Sequence, residues 1–358
     1  MKSNEKWFYG EKLIECVKQY KYLGIFFTTS LSWSLTKETL AAQARKALGM
    51  VYMYNYKCNG LPHGIYLEMF DKMILPILLY GSEIWGFEYS GKIEQVQHIF
   101  CKKMLGLSSN TVNEAALGEL GRYPLAVQYH LRCINYWLKI VCMQSNRYPK
   151  ACYGMLYNLD QHGKTTWATR VKQMLDKFGF RYVWAQQGVG DIDVFIEVFK
   201  TRLLFFYERK WYDATRNFSK LAVYTTYKYE LEPERYLDVL GIRKYLVALS
   251  RLRCSSHMLE IERGRHNNIE LAQRICTACT QPCIEDEFHF LIYCTRYTDL
   301  FDMYISSHII NSLSPYDNFV NLMQSKEPTC IMLLAMCITH LLVEKNCYKN
   351  VENVHFML

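Results

Sequence analysis

The sequence predicts a mostly α protein with a short β hairpin and strands at its front and a small cysteine-rich knuckle near its end. Three observations predict it. From about residue 35 onward, apolar residues recur at helical spacing over most of the chain. The residues before that carry aromatic and β-branched runs around glycines, which suits strands and turns. Near the C-terminus, Cys276-x2-Cys279 is followed by His289-x4-Cys294.

Taken in order, Trp7-Phe8-Tyr9 and Leu13-Ile14 flank Gly10-Glu11, the pattern of a hairpin. Tyr20 to Thr28 reads as one strand, with Gly24 as a bulge or a point of close backbone approach. Leu40, Ala44, Ala47, Leu48 and Val51 then define a helical face. Tyr66 to Leu79 predicts a buried helix interrupted near Pro76. Ile93, Val96, Phe100 and Met104 predict a further helix ended by Gly106. Helices follow over Leu125–Met143, Trp167–Phe178 and Phe195–Tyr212. Gln144–Lys150 and Arg263–Ile269 read as boundary loops. An apolar helix near 329–344 ends the pattern.

Half of the 358 residues are hydrophobic, enough for a sizeable core. The net charge of +8 comes from no single run, so it suits a polyanion partner without requiring one. Fourteen cysteines could imply disulfides. The polar start, Met1 to Lys6, has no apolar run of a secretory signal behind it, so an intracellular setting with reduced thiols is expected. The longest apolar stretch, Ile331–Val343, is too short to span a bilayer.

Cys276, Cys279, His289 and Cys294 have the spacing of a zinc site. Two cysteines two residues apart form a knuckle, and the second pair arrives after a nine-residue gap. Four protein ligands make a closed, structural site holding one zinc. In a straight helix His289 and Cys294 would point ~140° apart, so the helix is expected to loosen at Cys294. Arg274 and Arg296 are the cations expected to offset the negative cluster, and Cys283 is a spare that could replace Cys279. Glu285-Asp286-Glu287 reads as an acidic first helical turn.

No phosphate loop and no Gly-x-Ser-x-Gly string occurs. His98 and Cys101 lie one helical turn apart, but nothing adjacent orients the imidazole. No Asp-Asp pair exists to hold two metal ions. Basic residues from Lys200 to Arg265 interleave with aromatic ones, a mixture that suits single-stranded nucleic acid and equally suits amphipathic helices.

Specific strings carry a resemblance. Lys21-Tyr22-Leu23-Gly24, Leu78-Leu79-Tyr80-Gly81-Ser82-Glu83-Ile84-Trp85-Gly86 and Leu117-Gly118-Glu119-Leu120-Gly121-Arg122-Tyr123-Pro124-Leu125 occur in this order. Tyr136-Trp137, Ile261-Glu262-Arg263-Gly264-Arg265 and the cysteine cluster follow. The order resembles the C-terminal part of non-LTR (LINE-type) retrotransposon reverse transcriptases, over nearly the whole chain. The resemblance implies a terminal palm β segment (1–33), a thumb-like helical domain (34–146), a basic helical connector (147–266), a zinc-binding module (267–300) and C-terminal helices (301–358). It implies binding of template RNA and primer DNA, with Arg243, Lys244, Arg251, Arg253, Arg263 and Arg265 as phosphate contacts. The family's catalytic Ala-Asp-Asp box lies upstream of the Tyr-Leu-Gly strand and is not in this sequence, so no catalytic residue and no DNA synthesis are expected. The alternatives are a helical protein-interaction module with an architectural zinc site, or a degenerate element-derived product without activity.

Overall fold

The computed structural model describes residues 6–58 and 60–345. Residues 1–5 of the polar start and 346–358 of the expected C-terminal segment lie outside them.

The front of the chain forms two antiparallel hairpins. Strands β1 (Trp7–Tyr9) and β2 (Lys12–Ile14) turn at Gly10-Glu11. Where one strand was expected over Tyr20–Thr28, there are two: β3 (Gln19–Tyr22) and β4 (Ile25–Thr28), pairing Tyr22 with Ile25. Leu23 and Gly24 both take positive φ (46° and 84°), as a two-residue hairpin turn demands. Gly24 is also a close approach, since a Cβ there would sit 3.3 Å from the Tyr80 ring. Among the described strand residues only Ile25 is buried. Thr36 fastens its neighbour, accepting from Phe26 N–H (3.0 Å) and donating to Phe26 C=O (3.2 Å).

Helix α1 (Ser34–Lys57) buries Leu40, Ala44, Leu48 and Val51 of the predicted face and leaves Ala47 half-buried, with Ala41 buried beside them. The predicted helix over Tyr66–Leu79 runs without a break from His63 to Leu78, as α2 (His63–Met69), a π turn (Phe70–Ile74) and α3 (Leu75–Leu78). Pro76 follows directly on the π turn, where the bond from Leu75 N–H back to Phe70 C=O has widened the helix ahead of the proline. A short α4 (Ser82–Trp85) leads to α5 (Gly91–Leu105), which packs on α1 and stacks Phe100 on Phe70. Gly106 ends α5 at φ +67°, with Val247 so close that a Cβ would lie 2.6 Å from it.

Next come α6 (Asn113–Glu119) and α7 (Ala126–Val141). The Glu94 carboxylate, buried on α5, accepts the N–H groups of Leu125 and Ala126, both at 2.9 Å, and so caps α7 from outside. The boundary loop expected at Gln144–Lys150 is shorter, because α8 (Tyr148–Gln161) starts inside it with Pro149 in its first turn. Helix α9 (Trp167–Lys177) opens with a Thr166/Thr169 capping box. Then follow α10 (Arg181–Gln186) and the 26-residue α11 (Ile192–Asn217), capped by Asp191.

A short α12 (Tyr236–Val239) precedes α13 (Arg243–Arg253) and α14 (Glu260–His266). The loop expected from Arg263 is therefore mostly helix. It stops at Asn267, and Asn268 takes φ +54°. The end of the described chain is α15 (Thr298–Tyr304), α16 (Pro315–Met323), capped by Ser314, and α17 (Pro328–Glu344). Among the described residues, no single helix is long and apolar enough to cross a membrane. Packing runs across the expected segment boundaries: α13 lies against α17 and α5, and α7 against α11.

Candidate metal centre

The four predicted ligands converge. Cys276 and Cys279 sit in a tight loop whose base is an antiparallel bridge between Ile275 and Ile284. Cys276 N–H donates to Cys283 C=O at 2.9 Å, so Cys283 serves through its backbone while Cys279 takes the cluster position. His289 opens a π turn (His289–Tyr293), and Cys294 leaves it in extended conformation (φ −74°, ψ 110°). The i→i+5 bond from Cys294 N–H to His289 C=O (2.8 Å) closes that wider turn. This is the loosening that the ~140° offset of a straight helix required. Asp286 caps the turn by accepting His289 N–H at 2.8 Å.

The ligand atoms all lie within 4.8 Å of one another. Cys276 Sγ is 3.9 Å from Cys294 Sγ, and Cys279 Sγ is 3.5 Å from His289 Nε2. A tetrahedron with Zn–S near ~2.3 Å has S···S edges of about 3.8 Å, so this geometry fits a four-coordinate ion. Burial pushes the Cys276 thiol up to about 12, with the Glu285 carboxylate and Cys294 adding to it. Burial also raises Cys294 and lowers His289, which favours a neutral imidazole. Three thiolates this close would need a cation to exist together, which a divalent metal held by the four residues would supply.

The surrounding charges differ from expectation. Of the acidic triplet, Asp286 does the capping, whereas Glu285 and Glu287 turn inward. Glu285 is fully buried and accepts from Glu260 N–H (2.8 Å), from the Cys276 thiol (3.4 Å) and from Lys345. Glu287 accepts from Ser255 (2.7 Å) and His257 (2.9 Å). Burial pushes its carboxyl upward, but those partners hold it below the usual range. Arg274 donates to the carbonyls of Ile261 and Ile269, and Arg296 pairs with Glu344 at 3.0 Å. The cation beside the cluster is instead Lys345, far away in sequence and unmarked by any local signal.

The expected phosphate contacts divide. Arg253 is 2% exposed. It binds Glu119 (2.6 and 3.1 Å), Glu234 (3.0 Å) and the Met323 carbonyl, so it faces the core and cannot reach a phosphate. Arg243 donates to the carbonyls of Met104 and Lys103, and Arg251 to Gly106 C=O at 2.7 Å. Both neutralise the carbonyl end of α5. Arg263 pairs with Glu260 at 3.0 Å, and Arg265 with Glu262 at 3.1 Å. Lys244 is exposed beside the Tyr245 ring. As for His98 and Cys101, burial lowers the imidazole to about 4 and raises the thiol to about 12, the reverse of a reactive ion pair.

No protein family, curated protein or solved structure matches this chain.

Proposed function

We propose that this chain is a nucleic-acid-holding part of a LINE-type reverse transcriptase, with one structural zinc ion shaping its C-terminal region. The observation that supports the reading is a coincidence of place. The ordered strings that resemble that family put a zinc-binding segment at the end of the chain, and there Cys276, Cys279, His289 and Cys294 meet with tetrahedral spacing. On this reading the metal is architectural, because all four positions are filled by the protein. The chain grips RNA and DNA strands, and it carries out no polymerisation step itself.

Two measurements test it. Elemental analysis of the purified protein should find about one zinc per chain, a count that follows from one four-ligand site. Titration with single-stranded or hybrid nucleic acid should show affinity falling steeply with salt. Absence of binding, or affinity flat in salt, rules the reading out.

One observation favours a protein-interaction module as the second reading. Trp7, Phe8, Leu13, Tyr20, Tyr22 and Leu23 of the two hairpins are all more than half exposed, an apolar surface of the kind that docks partners. Capture of one protein partner that persists after nuclease treatment and is lost in Trp7→Ser/Phe8→Ser would favour it over strand binding.

A further inference from the structure

With Arg253 buried and Arg243 and Arg251 engaged at the end of α5, Lys244 is left as an isolated exposed cation there, and three further exposed arginines lie elsewhere. They line one side of α11. Arg202, Phe205, Arg209, Tyr212 and Arg216 follow at alternating steps of three and four residues, which keeps them on one helix face. All five are exposed. Phe205 is 63% exposed, and Tyr212 is 40%. The Arg216 guanidinium lies 3.2 Å from the Tyr212 ring centre, and Arg202 stands over Phe180 at 5.7 Å. The opposite face, Phe199, Leu203, Tyr207, Trp211 and Thr215, is buried and holds the helix in place.

Charge around the stripe is unbalanced. No described carboxylate pairs with any of the three arginines. Glu197 is taken by Lys200 at 3.2 Å, and half-buried Glu208 and exposed Asp213 flank the stripe, leaving one of its three positive charges without a balancing carboxylate. An arginine face alone would be a solvated surface. The Phe205 ring, set between Arg202 and Arg209 and 63% exposed, has no core contact to explain it, while the Tyr212 ring carries Arg216 on one face and is 40% exposed, along a stripe ~21 Å long.

We infer that this face of α11 is the seat of a single nucleic-acid strand, with Arg202, Arg209 and Arg216 on successive phosphates and bases stacked on Phe205 and Tyr212. Arginine forks match phosphate oxygens, and aromatic faces accept any unpaired base. A duplex keeps its bases stacked internally and offers the rings nothing. The inference rests on the nucleic-acid reading above and says where on the molecule that binding occurs.

The test uses the full chain, with fluorescent oligothymidylate, oligouridylate and a blunt DNA duplex as probes. Replacing Arg202, Arg209 and Arg216 together by Gln should weaken single-strand binding at least ~10-fold. It should also reduce the slope of log affinity against log salt by about 2, since each lost contact to a single strand is worth about 0.7. Phe205→Ala should weaken single-strand binding roughly 10-fold with the slope unchanged. Lys139, Arg147 and Lys164, also exposed, serve as a control of equal charge: their joint change to Gln should leave affinity within about twofold, as expected of cations outside the contact. The placement is overturned if the α11 triple variant binds like the parent protein, if the control loses as much, or if the duplex binds more tightly than either single strand. In those cases nucleic-acid binding itself still stands. If the unaltered protein binds no strand, the underlying reading fails and the placement with it.

Discussion

At the scale of single residues, burial decides what a charged side chain can do. Arg253 shows this most sharply. Its guanidinium is surrounded by Glu119, Glu234 and the rings of Tyr227 and Tyr236. Arg253→Leu leaves the buried Glu119 carboxylate without its partner and half-buried Glu234 with Lys228 alone, and should destabilise the protein by about 3–5 kcal/mol, measured by denaturant unfolding. An unfolding midpoint unchanged by the substitution would contradict the buried network. His130 makes a second case. It lies between Gly86 C=O (2.8 Å) and the Tyr207 hydroxyl (3.1 Å), and burial lowers it to about 4. The folded state therefore resists a proton that the unfolded chain accepts at ~6.5. Stability from this group is complete above ~6.5 and is lost as pH falls toward 4, by roughly 3 kcal/mol. Glu94, raised by burial to about 7, acts in the opposite direction over the same range. The His130 contribution is thus read as a difference: His130→Gln should flatten the decline below ~6.5 relative to the parent protein.

At the scale of elements, helix ends and turns carry the organisation. Gly106 closes α5 in the left-handed region while Val247 of α13 presses on the same point. Gly106→Ala meets both a backbone penalty of ~1–3 kcal/mol and a clash. It should lower the thermal midpoint by several degrees, about 4 °C or more, given ~2–4 °C per kcal/mol for larger domains. The π turn at His289–Tyr293 is the other decisive element, because it lets two residues five apart face one point. The sequence showed that a helix could not simply continue there. It did not show the form of the solution, because hydrophobic period is the same on either side of a π turn. The second hairpin was hidden for a related reason. Its turn is Leu23-Gly24, and leucine at positive φ is not a turn signal that composition carries.

At the scale of the whole molecule, the Cys/His cluster is tied into the core. Glu285 joins the Cys276 thiol to the start of α14 and to Lys345 beyond α17. Cys276→Ser or His289→Ala should abolish stoichiometric zinc, since ligation free energy is folding free energy in such sites. The same variants, or chelation, should raise hydrogen exchange over residues 270–300 and at the end of α17, with α1 and α5 unaffected. Uniform exchange across the chain, or none changed, would separate the cluster from the fold.

What the sequence determined by itself is whatever depends on neighbours along the chain. That includes the helical periods of α1, α5, α7, α9, α11 and α17, the first hairpin around Gly10, and the four ligands at their spacing. These signals are local because a helix face, a two-residue turn and a knuckle each complete their geometry within a few residues. Tertiary structure decided which charges remain available. Arg253 and Glu119 are 134 residues apart and meet in the core. Lys345 reaches Glu285 across 60 residues. No window of sequence contains both members of such a pair, so the same basic composition could have been surface or core. Packing drew Arg253 inward, set Arg243 and Arg251 on the end of α5, and left the arginines of α11 facing water.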